Sequence, residues 1–189
     1  MDGEGLILIV SGPSGVGKTT IARSIEQTIP QAVFSVSATT RQPRAQETAG
    51  ESYYFLPEEQ FLDKVGAGAF LEHAEYAGNR YGTLREPTDE LLAKGRVVLL
   101  DIEVEGAKQV KARMPSALAI FIEAPSDEEL LRRLRDRRSE DERTIMRRFD
   151  VARREITEAH ACGVYDVFIV NDDLERATAE AIEIVRSRM

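Results

Sequence analysis

A chain of 189 residues with 42% hydrophobic and 31% charged side chains suits one globular domain carrying small inserted lobes. Its apolar runs fall well short of the ~20 residues a membrane helix needs, and the opening MDGEG has neither the basic nor the apolar stretch of a signal peptide. Cys162 is the only cysteine, which excludes an internal disulfide, and the net charge of −8 argues against a duplex nucleic-acid partner, so a cytoplasmic enzyme or binding protein away from the membrane is expected.

Along the chain, Leu6–Val10 reads as a buried strand, then a glycine-rich turn opens a helix that Pro30 stops near Ile29. Val33–Val36 reads as a second strand. From Ser37 to Thr83 the texture changes to turn formers, polar groups and aromatics, with a short helix near Glu58–Val65 and an extended stretch through "AFLEHAEYAGNRYGT". This segment reads as an inserted lobe. Alternation then resumes: a helix near Pro87–Lys94, the strand Val97–Asp101, a helix near Glu105–Arg113 and the strand Leu118–Ile122. A helix from Ser126, with acids in its first turn, breaks near Ser139–Asp141 before a long helix through Ala161. Tyr165–Val170 and Leu174–Arg188 read as the last strand and helix. Such alternation predicts an α/β fold, a parallel sheet with helices on both faces.

Gly12, Pro13, Ser14, Gly15, Val16, Gly17, Lys18 and Thr19 satisfy G-x-x-x-x-G-K-[ST] in full, after a strand and opening a helix. In that setting backbone N–H groups turn inward around phosphates, and the helix N-terminus adds partial positive charge. Lys18 can reach the β- and γ-phosphates, and the Thr19 hydroxyl can ligate Mg²⁺. Thr20 follows in the same cradle. The chain is therefore expected to bind a nucleoside triphosphate. No guanine-reading N-K-x-D is present, because Asn171-Asp172 lacks that form, and no apolar strand ends in the Asp-Glu pair of hydrolytic ATPases.

Between Arg132 and Arg154 stand ten arginines, five acids and no lysine, a local net charge of +5 in an acidic chain. Such a run is either a solvated helix laced with ion pairs or a phosphate clamp, since guanidinium forks bind phosphate bidentately. In the inserted lobe, "SVSATTRQPR" sets Arg41 and Arg44 on one turn beside Ser37, Thr39 and Thr40, followed by Tyr53, Tyr54, Glu72, Tyr81 and Thr83. Paired arginines with phenols suit a phosphate monoester. Glu72 could accept from the adjacent N1–H and N2 donors that guanine offers and adenine lacks.

"GPSGVGKTT", "FSVSATTRQPR", "GESYYF", "FLEHAEYAGNRYGT", "LDIEVEGA" and "VNDDL" follow one another as in guanylate kinases, and the chain resembles that family from Leu6 to the last helix. The resemblance implies a P-loop nucleoside-monophosphate kinase fold with a five-stranded parallel core, a GMP-binding lobe and a helical lid. The implied division is residues 1–36, 84–125 and 162–189 for the core, 37–83 for the GMP lobe and 126–161 for the lid. The implied reaction is ATP + GMP giving ADP + GDP with Mg²⁺, in a monomer or homodimer. On the same basis Ser37, Arg41, Arg44, Tyr53 and Tyr81 would hold the GMP phosphate, while Glu72 and Thr83 would read guanine. Asp101 and Glu103 would line the junction of lobe and core on the GMP side. Glu103 departs from the family's usual aspartate, and Arg138 stands where glycine is common. Lys18, Arg41, Arg133, Arg137 and Arg148 would be the catalytic cations, and Asn171 would contact adenine.

Two alternatives stand beside this reading. One is a guanylate-kinase-like module that binds phosphorylated peptides, although such modules typically lose the glycine-rich loop and its lysine. The other is a kinase of this fold with a different phosphorylated acceptor.

Overall fold

The computed structural model describes residues 5–76, 78–136 and 141–189. Its centre is a parallel sheet of five strands, β1 (Leu6–Ser11), β2 (Ala32–Phe34), β7 (Val97–Asp101), β8 (Leu118–Glu123) and β9 (Val167–Val170), in the order β2-β7-β1-β8-β9. Alternation along β1 explains why its run is apolar throughout. Leu8 and Val10 join a core layer with Ile21, Ile25, Ala177 and Val185, whereas Ile7 and Ile9 join the opposite layer with Val104, Ala107 and Val110. A strand covered on both faces has no solvent side on which to place polar residues. Each such fully buried aliphatic contributes about 1.5–3 kcal/mol from area removed from water.

The layer around Leu8 is formed by α1 (Lys18–Thr28), α5 (Asp127–Asp136), α6 (Glu142–Cys162) and α7 (Leu174–Arg186). The other is formed by α4 (Val104–Arg113), with Leu91 and Leu92 of α3 (Arg85–Ala93) and Ala159 near the end of α6. Ser126 caps α5 through its hydroxyl, which accepts from the Glu129 N–H at 3.2 Å. Asp141 does the same for α6, accepting from Thr144 N–H at 2.8 Å, and Gly163 closes that helix in the left-handed conformation. These caps fix the directions in which the two arginine-rich helices leave the core.

The second sheet is built only from residues 38 to 84. Strands β3 (Ala38–Thr39), β4 (Tyr54–Phe55), β5 (Phe70–Tyr76) and β6 (Asn79–Leu84) lie in the order β4-β3-β6-β5, with α2 (Glu58–Gly66) packed on them. Ala38, Phe61 and Phe70 form its small core, Phe61 and Phe70 stacked at 4.5 Å. This sheet is pinned to the main body through α4. Gln109 exchanges two hydrogen bonds with the His73 backbone, and Arg113 donates to the Leu71 carbonyl at 2.7 Å.

The sequence pattern misses the two-residue strands β3 and β4, too short to show any period. It also places the second core strand at Val33–Val36, where the structure has Ala32–Phe34. Parallel pairing with β7 decides this, because Phe34 opposite Leu99 is the last partnered residue.

Candidate active site

The loop after β1 turns on glycines at φ 149° (Gly12) and 91° (Gly17). A Cβ on Gly12 would lie 2.3 Å from the Ile122 carbonyl oxygen, and one on Gly17 would lie 2.6 Å from Asn171 Nδ2. Both positions require glycine by conformation and by space. The loop delivers Lys18 to the start of α1, whose cap residue Gly17 offers no side-chain acceptor and whose first turn holds no acid. Its leading N–H groups therefore remain available to an anion. The loop opens on a cleft of about 860 Å³, bounded across from it by Asp101, Glu103 and the α6 residues Thr144, Arg147, Arg148 and Glu155.

Two of the expected site residues meet the phosphate loop directly. Asp101, expected at the junction of GMP lobe and core, lines the cleft beside Glu103 and also lies against the phosphate loop. Its carboxylate is 2.9 Å from Lys18 Nζ and accepts from the Thr19 hydroxyl at 3.5 Å. Register explains the placement, since Asp101 pairs with Val10 at the strand end where the loop begins. Asn171 was expected to contact adenine. It is buried, and its amide donates to the Val16 carbonyl at 2.6 Å. It lies one residue beyond Val170, the partner of Glu123, so it meets the loop from beneath. The missing side chain of Gly17 makes room for it.

The arginine-rich helices reach the same place. Arg133 is held by Glu129 and donates to the Asn171 carbonyl at 2.9 Å, while Arg148 donates to the Ser14 hydroxyl. Arg137 and Arg138 lie outside the described residues. Arg132 and Arg135 instead form surface pairs with Glu129, Asp136 and Glu142. The run is thus partly a solvated, paired surface and partly a set of cations at the cleft.

In the smaller sheet, Glu72 and Thr83 are cross-strand partners, and the Thr83 hydroxyl donates to Glu72 Oε1 at 2.7 Å. Both are buried, with Gly106 leaving space beside Glu72 Oε2. Burial pushes the Glu72 carboxyl above its ordinary value, and the hydrogen bond from Thr83 opposes that shift. Nearby, Arg41 sits against the Tyr53 ring at 5.4 Å and makes a hydrogen-bonding contact with Tyr81. The Tyr53 and Tyr81 rings are 6.1 Å apart, edge to face. Ser37, between β2 and β3, is half-buried, and Arg44 is exposed on the following turn.

The guanylate kinase family model matches residues 5–188. The chain belongs to the guanylate kinase family. It is 49% identical over 183 residues to the guanylate kinase of Anaeromyxobacter dehalogenans, covering 96% of this chain and 80% of that one. It is 48% identical over 181 residues to the guanylate kinase of Trichormus variabilis, covering 96% and 89%. A crystal structure of guanylate kinase from Anaplasma phagocytophilum superposes with a TM-score of 0.74 at 36% identity, over 97% of this chain and 85% of that one.

Two acids at this candidate site escape the sequence reading. Glu47 pairs with Arg41, and Glu155 faces the cleft from α6. Neither carries a motif, because an acid in a polar loop and one on a charge-rich helix look like ordinary surface residues.

Proposed function

We propose that the chain transfers the γ-phosphoryl group of ATP reversibly to GMP, giving ADP and GDP. The observation that carries this reading is the buried Glu72–Thr83 pair, in the same molecule as a complete phosphate loop. An ionised Glu72 would accept from guanine N1–H and N2 together, and adenine offers no such pair of donors. Since the Thr83 proton lies on Glu72, its first task is to orient that carboxylate. Arg41, Arg44, Ser37, Tyr53 and Tyr81 would bind the GMP phosphate.

The loop from Gly12 to Thr20 would hold the triphosphate of ATP, with Lys18 leaving Asp101 for the β- and γ-phosphates. The triphosphate would replace Asp101 as the partner of the Lys18 ammonium. The hard oxygens of Thr19 and Asp101 suit Mg²⁺, which keeps several waters and needs no all-protein cage. Bound there, it would neutralise charge on the β- and γ-oxygens. A GMP phosphate oxygen attacks the γ-phosphorus as the bond to the ADP oxygen breaks. This nucleophile needs no general base, its second pKa being about 6. Catalysis then rests on in-line positioning and on cations over the equatorial oxygens, supplied by Lys18, Arg41, Arg133, Arg137 and Arg148.

On this reading, residues 37–83 form the GMP lobe and residues 126–161 the lid, moving against the remaining core. Closure would keep water from the γ-phosphoryl group until the acceptor is seated. Both nucleotides are small cytoplasmic metabolites, which makes the cytoplasm the proposed compartment. A coupled assay of ADP release with ATP and Mg²⁺ tests the reading across GMP, AMP, CMP and UMP. Turnover is expected on GMP alone, and Lys18→Ala should abolish it. Tight GMP binding without ADP release would point to a binding module, and equal turnover on AMP would remove Glu72 from the guanine role.

A further inference from the structure

Arg41 is expected to grip the GMP phosphate, yet much of its guanidinium is already engaged. Nη2 donates to Glu47 Oε1 at 2.7 Å, and Nη1 donates to Glu47 Oε2 at 3.0 Å and to the Gln42 carbonyl at 2.8 Å. These contacts use both protons of Nη1 and one of Nη2. The donors not taken by Glu47 or Gln42 are Nε–H and the second Nη2–H, which share one edge of the planar group and form its other two-pronged fork, with Tyr81 against the same side chain. Glu47 acts on the second arginine as well. Its Oε2 accepts from the Arg44 backbone N–H at 2.7 Å, and its own N–H donates to the Arg44 carbonyl at 3.0 Å. One carboxylate thus ties the Arg41 side chain to the turn that carries Arg44. The Arg41 and Glu47 side chains are 17% and 18% exposed, so the pair is shielded and geometrically defined rather than a loose surface contact.

We infer that Glu47 is a positioning residue for the acceptor phosphate: it holds one fork of Arg41 and fixes the Arg44 turn, so that the remaining Arg41 fork is pre-aimed at the phosphate. This rests on the GMP reading above and adds to it a residue that does not touch the substrate. Geometry favours this role over that of a competing anion in the phosphate position. A placeholder would fill the fork the substrate needs, whereas Glu47 lies on the turn itself and leaves the opposite edge of the guanidinium to Tyr81 and the phosphate. Arg41 holds the Glu47 carboxyl below the usual glutamate range, so the brace stays charged wherever the phosphate is dianionic.

The test compares wild type, Glu47→Gln and Glu47→Asp by steady-state kinetics and by calorimetric titration with GMP and with guanosine. Glu47→Gln keeps the size of the side chain but replaces one acceptor oxygen and the charge. It should raise KM for GMP by about tenfold or more, the scale of a lost charge-assisted hydrogen bond. KM for ATP and the affinity for guanosine should stay at wild-type values, because neither uses the phosphate clamp. Glu47→Asp keeps the charge on a shorter arm and should fall between the two. A general loss of lobe structure would weaken guanosine and GMP alike, and that result would overturn the inference. So would a lower KM for GMP in Glu47→Gln, which would make Glu47 a competitor, or an unchanged one. Failure of wild type itself to phosphorylate GMP would instead overturn the function on which the inference rests.

Discussion

Glu155 gives the clearest charge effect at the scale of single residues. It faces the cleft from α6, with Glu103, Glu158 and Lys18 as its charged neighbours. Burial, helped by Glu103, raises its pKa from the ordinary 4.5 to about 7, while Lys18 opposes the shift. Between those two values the folded chain binds more protons at this site than the unfolded chain. Its contribution to stability is therefore complete below the lower value and is lost as pH rises through the upper one. Glu155→Gln cannot ionise, so its melting temperature should gain on wild type between about pH 5 and about pH 8 in the ligand-free protein. Calorimetry at the two pH values checks this, and an offset that does not change with pH would contradict it. Little of this was visible in the sequence, where Glu155 is one acid among many on a charged helix. Glu72 was more legible, because a resemblance fixed its position. The 72–83 register that buries it depends on a strand irregularity after Phe70, which no pattern announces.

At the scale of elements, the connection from β9 to α7 braces the phosphate loop. Asn171 Nδ2 supports Val16, and the Asn171 carbonyl receives Arg133 from α5. An arginine of α5 and the phosphate loop thus meet on one residue. Asn171→Ala leaves the buried Val16 carbonyl without that donor, at a cost of about 1–3 kcal/mol. In a chain of this size each kcal/mol lowers the melting temperature by about 2–4 °C. KM for ATP should rise as well, and an unchanged melting temperature and KM would show that the brace is unimportant. The loop itself was legible because its requirements are those of the backbone, glycine at positive φ followed by a helix start. The role of Asn171 was not, since the direction of a side chain at a strand end follows from pairing with a strand nearly fifty residues earlier.

For the molecule as a whole, the alternation of strands and helices predicted a parallel sheet covered on both faces, and the family resemblance implied its five strands. The order β2-β7-β1-β8-β9 places the phosphate loop at the centre, with Asp101 on one side and the loop after β9 on the other. The smaller sheet, pinned through α4, brings Glu72 to the same α4 surface that begins beside Glu103. What the sequence hid was mainly this long-range geometry: which acid meets which cation when the two sheets come together. All of it serves one claim, that the γ-phosphoryl group passes to a nucleoside monophosphate and not to water. The direct measurement uses ATP labelled at the γ-phosphorus, incubated with GMP, Mg²⁺ and the protein, with the products separated and counted. Label in GDP, with little inorganic phosphate and neither product from Lys18→Ala, is the predicted result. Label released as inorganic phosphate with GMP unchanged would contradict the account.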